Sequence, residues 1–147
     1  MDEHASYFVS LKVLLRRGDE GLFLRCSNKH WCNNAPHWDW PGGRINRLEN
    51  SAPVSKIIER EVAEELGENI KYKLKSPAFH FRRNHPHKEN WIFVIVHEAD
   101  YISGDIKISN EHSGYEWVNL RKAKLNRDDF CNDEMYQMTI QYLNLLT

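Results

Sequence analysis

Apolar and β-branched residues crowd the stretch from Tyr7 to Leu15 (YFVSLKVLL), a composition that predicts a strand. Gly21 to Cys26 (GLFLRC) repeats that character and reads as its hairpin partner, with the turn chemistry of Arg16-Arg17-Gly18-Asp19-Glu20 between them. Ser27 to His37 is polar and irregular and predicts a loop; Trp38-Asp39-Trp40 reads as a short strand closed by a Pro41-Gly42-Gly43 turn. From Ser51 to Leu66 the pattern switches to helical period, with Val54, Ile58, Val62 and Leu66 as the buried stripe. Ser51 is placed to be the N-cap, Pro53 suits the first turn, and Gly67 closes the helix. Ile70 to Arg83 predicts one or two strands, Asn84 to Glu89 a turn, Trp91 to His97 the most apolar strand, and Gly114 to Val118 another. Asp128 or Asp129 can cap a closing helix that buries Met135, Met138, Tyr142 and Leu145. Strand pair, helix, several strands, helix: this order implies a mixed sheet between helices, of class α/β or α+β.

Chemistry concentrates on the first helix. Glu61, Glu64 and Glu65 stand at i, i+3 and i+4, which places three carboxylates on one helical face. Like charges at that spacing repel by about 0.2–0.5 kcal/mol per pair, so the cluster costs stability unless a cation offsets it. Hard divalent ions take such oxygen ligands and handle phosphates; magnesium in particular prefers carboxylates and substrate oxygens to imidazole or thiolate. An isolated Glu-x-x-Glu-Glu is more often a solvated face. Here Arg60 precedes it, Gly67 follows it, and Pro41-Gly42-Gly43 lies upstream, a combination that favours a site.

Gly43-x5-Glu49 followed by Arg60-Glu61-Val62-Ala63-Glu64-Glu65-Leu66-Gly67 resembles the box of the Nudix hydrolase superfamily (MutT-like), G-x5-E-x7-R-E-U-x-E-E-x-G-U with U aliphatic. Two departures stand out. Ten residues separate Glu49 from Arg60 instead of seven, and the last aliphatic position holds Glu68. A three-residue insertion rotates the helix start by about 300°, close to a full turn, so the acidic face can be retained. The resemblance implies a single domain over residues 1–147 with a Nudix-like α/β/α sandwich and a mixed central sheet. It implies Mg2+, with Mn2+ as a substitute, held by the Gly42 carbonyl, Glu61, Glu64 and Glu65, and a bidentate Arg60 orienting Glu61. Glu61 or Glu111, the latter in Ser109-Asn110-Glu111-His112, would supply the general base, with Arg60 and Glu64 completing the catalytic set. The implied activity is a metal-dependent pyrophosphohydrolase acting on a nucleoside diphosphate linked to another moiety. Alternatives of the same fold are a sugar-nucleotide glycosyl hydrolase of the GDP-mannose type and a nucleotide-binding regulator without turnover.

Bulk properties narrow the setting. A chain of 147 residues can bury a core without staples. Twenty basic and twenty-one acidic residues, interspersed to a net charge of −1, argue against a nucleic-acid coat. The sequence has no apolar run long enough to span a membrane and no signal-like start, and three cysteines fit reduced thiols, which together suggest the cytoplasm. A homodimer is a reasonable expectation. Cys26, His30, Cys32 and His37 lack the paired spacing of common zinc sites and read better as a loop over substrate. The basic stretch His80, Arg82, Arg83, His85, His87, Lys88 can clamp a phosphate; Arg44, Arg82 and His85 are the candidate substrate contacts. Trp38, Trp40, Trp91 and Trp117 fall in or beside strands and are expected mostly in the core.

Overall fold

Alternation along β1 (Phe8–Arg17) sets the layers: Leu11, Val13 and Leu15 point to one side of the sheet, Leu14 to the other. The computed structural model describes residues 3–26, 37–84 and 90–146. In chain order follow β2 (Glu20–Cys26), β3 (Trp38–Asp39), β4 (Gly42–Arg44), a 3-10 turn (Arg47–Glu49), α1 (Val54–Leu66), β5 (Lys71–Asn84), β6 (Trp91–Ser103), β7 (His112–Asn119), a second 3-10 turn (Arg127–Asp129) and α2 (Asp133–Asn144). The result is an α+β fold with a mixed sheet between two helices, as the order of elements predicts. Among the described residues no helix is long and apolar enough to cross a membrane.

The sheet forks. β1 pairs with β2 only through Arg16↔Gly21 and Arg17↔Glu20, then takes β4 as its antiparallel partner through Ser10↔Arg44, Leu11↔Gly43 and Lys12↔Gly42. β2 turns instead to β3 and β7. On its other edge β1 runs parallel to β6, which pairs antiparallel with β5. Asp39 on β3 and Gly42 on β4 therefore stand in the opening of the fork.

Helix α1 packs Ile57, Ile58, Val62 and Leu66 onto Leu11, Val13, Leu15, Leu22 and Leu24. Each fully buried aliphatic side chain contributes about 1.5–3 kcal/mol, several times the repulsion of a glutamate pair. The sheet-facing seam can therefore hold a helix that carries an unfavourable acidic face. On the opposite side α2 buries Met135, Tyr142 and Leu143 against Phe23, Trp40, Phe79 and Phe81.

Several expectations shift. Ser51 lies in a turn, and α1 starts at Val54 behind Pro53 with no side-chain cap. Val54 is 41% exposed, and Ile57 takes its place in the stripe. Gly42 and Gly43 form strand rather than turn, because the pairing with β1 claims them. Asn132, not Asp128 or Asp129, caps the closing helix, accepting from the Met135 N–H at 2.8 Å. Leu145 is exposed. Trp38 and Trp40 are core residues, whereas Trp91 is half exposed. Cys26 is disulfide-bonded, against the expectation of three reduced thiols, and Cys131 is free.

Candidate active site

Burial of polar groups marks the site: Glu61 and Glu65 are 8% and 6% exposed, on the side of α1 that meets β4. Gly42 donates its N–H to Glu65 Oε2 at 2.8 Å. A Cβ on Gly43 would lie 2.7 Å from Glu61 Oε1, so only glycine leaves that carboxylate its room. Burial raises the Glu61 pKa, with Arg60 opposing. Burial pushes Glu65 up to about 7, against the pull of Lys12 and the Gly42 N–H. Two desolvated carboxylates, with Glu64 exposed beside them, are an oxygen-only donor set suited to a hard divalent cation. Among the described residues no group of three His, Cys, Asp or Glu is already gathered as metal ligands. Glu61 and Glu64 meet Arg60 at 3.1 and 3.2 Å, and Glu65 meets the Gly42 N–H.

Arg60 has a different principal partner from the one expected. Its bidentate contact is with Glu49, through Nε to Oε2 and Nη2 to Oε1, both at 2.8 Å, while Glu61 receives a single ion pair. The longer connection after Glu49 starts from the 3-10 turn at Arg47–Glu49, and the Glu49 carboxylate still reaches Arg60 on the helix. Arg60→Lys keeps the charge but cannot reproduce the fork. It is expected to lower turnover about 10–100-fold with little change in melting temperature, as steady-state kinetics and thermal melting would show.

Glu111 reaches the same cleft as Gly42, Gly43, Glu61, Glu64 and Glu65. Its loop is tied to the end of α1: Lys107 N–H donates to Leu66 O at 2.9 Å and Ser109 N–H to Glu65 O at 3.2 Å. On the other face of β4, Lys12 is 4% exposed and donates to the Gly42 carbonyl at 3.0 Å, so one lone pair of that expected ligand is engaged. Lys12 also pairs with Asp39 at 3.4 Å, and His112 Nε2 meets Asp39 at 3.5 Å. Burial alone would raise the Asp39 pKa; Lys12, His112 and Arg83 outweigh it and hold the carboxyl well below its usual range.

Three of these residues escaped the sequence reading. Lys12 had a signal, a cation inside an apolar strand, whereas Asp39 and His112 had none. Arg44 lines the cleft, with its guanidinium over Phe8. Arg82 does not: it is exposed and bound to Glu134, Nη2 to Oε1 at 2.6 Å. Its neighbour Arg83 lines the cleft instead. His85, His30 and Cys32 lie outside the described residues; the disulfide at Cys26 removes one ligand from the zinc reading.

The family model for the NUDIX domain matches residues 7–138, which contain all of these groups. The chain belongs to the Nudix family. It is a Nudix hydrolase acting on pyrophosphate bonds, an activity for which such enzymes generally use divalent metal ions. No curated protein matches the chain. A MutT protein from Methanosarcina mazei Go1 is 27% identical, with 96% of each chain covered and a TM-score of 0.73. An Ap4A hydrolase from C. elegans, solved as a binary complex, is 19% identical over 95% of this chain and 97% of its own, with TM-score 0.65. An ADP-ribose pyrophosphatase from Streptococcus suis is 13% identical over 96% and 92%, with TM-score 0.59. These last two share the Nudix fold.

Proposed function

We propose that this Nudix chain is a magnesium-dependent pyrophosphohydrolase that cleaves a nucleoside diphosphate linked to another moiety. The observation that carries it is the meeting of Glu61, Glu65 and Glu111 at a strand whose Gly43 leaves no room for a side chain. Glu61, Glu64, Glu65 and the Gly42 carbonyl would hold the ion, with Mn2+ able to replace Mg2+. When bound, the ion supplies charge neutralisation for the diphosphate and a lowered pKa for water. Arg60 braces Glu49, Glu61 and Glu64, so the ligand face is set before substrate arrives. Arg44 would take phosphate oxygens on the far side of β4. Glu111 or Glu61 would accept the proton of the attacking water at a carboxylate oxygen; burial keeps the pKa of Glu61 above that of an exposed glutamate, which suits a base.

The test is a product assay with nucleoside triphosphates, dinucleoside polyphosphates, ADP-ribose, NADH and nucleotide sugars in magnesium or manganese. A nucleotide and a second phosphorylated product are expected, with turnover lost on chelation and restored by adding back Mg2+. Release of free sugar would assign the glycosyl route instead. Tight nucleotide binding without any product would make the chain a regulator.

A further inference from the structure

β4 divides the cleft into two rooms that meet at Gly42, Gly43, Glu65 and Glu111. The glutamate face of α1 lines one, and Lys12 and Asp39 line the other. That second room has a volume of about 200 Å3. Drug-sized ligands fill about 300 Å3 or more, so it suits one ring system and not a whole nucleotide. The diphosphate that is cleaved must lie over the glutamate face, so the base or sugar it carries is what reaches the second room. Asp39 accepts the Trp40 N–H at 2.8 Å. Lys12 at 3.4 Å and His112 at 3.5 Å stand beyond ordinary hydrogen-bond length, and Arg83 adds its charge. Among the described residues these cations compensate the carboxylate's charge without filling its roughly four acceptor positions. Its side chain is 13% exposed, enough to meet a ligand in the cleft.

Lys12 gives one of its three N–H donors to the Gly42 carbonyl at 3.0 Å and turns another toward Asp39. An ammonium that can only donate and a carboxylate that can only accept thus stand side by side. A sugar hydroxyl rotates to suit either, whereas the edge of a base has a fixed order of donors and acceptors. Guanine presents the O6 acceptor beside two donors, N1–H and N2–H2. Adenine and cytosine put a donor beside an acceptor in the reverse order, and the one N–H of uracil lies between two carbonyls. We infer that Lys12 and Asp39 read the base, Lys12 donating to O6 and Asp39 accepting N1–H and N2–H2, which makes the substrate a guanine nucleotide. This rests on the pyrophosphohydrolase reading above.

The experiment compares kcat/KM between forms of one substrate that differ only in the base: GTP with ATP, CTP and UTP, GDP-glucose with ADP-glucose and UDP-glucose, and the guanine with the adenine dinucleoside tetraphosphate. The wild type is expected to favour guanine about 10–100-fold, mainly through KM. Asp39→Asn replaces an acceptor by a donor, so that ratio should fall to about threefold or less. No preference in the wild type, or a preference for another base, would overturn the inference. So would a variant that loses activity equally on all bases, because Asp39 would then serve the fold alone. Should Asp39→Asn fail to fold, the wild type decides: GMP should inhibit about tenfold more tightly than IMP, which lacks the 2-amino group, and equal inhibition would overturn the inference. A wild-type chain that releases product from none of these substrates, nor from those of the product assay, with magnesium or manganese defeats the parent reading; turnover with no preference for guanine defeats only this one.

Discussion

Glu65→Gln is expected to cut metal-dependent turnover by about 1,000-fold or more while leaving the fold at least as stable as before. Glutamine matches the volume of glutamate, and its amide oxygen can still accept the Gly42 N–H that now meets Oε2 at 2.8 Å. What disappears is the charge, the property a divalent ion requires. Stability moves the other way because burial raises the Glu65 pKa to about 7. A group whose folded pKa lies above its unfolded value of 4.5 is harder to ionise in the fold than out of it. In metal-free protein the advantage of the glutamine variant should therefore be small below pH about 4.5, grow as pH rises, and level off above about 7. Thermal melts across pH with kinetics in magnesium read both effects. Unchanged turnover would remove Glu65 from the ligand set.

Alanine at the two adjacent glycines should separate folding from chemistry. At Gly42, φ is +142°, and a Cβ would lie 2.0 Å from Leu11 O and 2.7 Å from Lys12 Cα. Both obstacles are backbone of β1, fixed by the pairing Lys12↔Gly42. Strain and overlap together are expected to cost about 4 kcal/mol or more, a large share of a typical domain's 5–15 kcal/mol. Gly42→Ala should therefore melt far lower or fail to accumulate as soluble protein. At Gly43 the obstacle is the Glu61 carboxylate, the mobile end of a side chain. Gly43→Ala should fold, displace Glu61 and lose about 100-fold or more in turnover. Melting temperatures and activities of the pair test this, and an active, stable Gly42→Ala would contradict the strand geometry described here.

Legibility in the sequence followed the range of the forces involved. β1, β2 and β6 were visible because their composition is local and strongly apolar, and the glutamate face because its spacing is helical. β4 was not: two glycines resemble a turn until a long-range partner, here β1, claims them as strand. The choice between Arg82 and Arg83 depends on which face each residue of β5 takes. That is fixed by pairing with Phe93 and Ile92 after register shifts around Pro77, none of it readable from adjacent residues. Where Glu49 sits relative to Arg60 is not readable across a ten-residue connection; the 3-10 turn and the Arg60 fork decide it. The Asp39, Lys12 and His112 cluster joins three strands and has no sequence spacing at all.

The last carbonyls of α1 find their donors in the loop ahead of β7, at Lys107 and Ser109. Helix end and loop thus satisfy one another's backbone groups. Through these bonds Glu65 and Glu111, 46 positions apart in the chain, are held at one cleft. Lengthening or cutting that loop would fray the helix end, so the part of the fold that looks freest to vary is mechanically coupled to its acidic face.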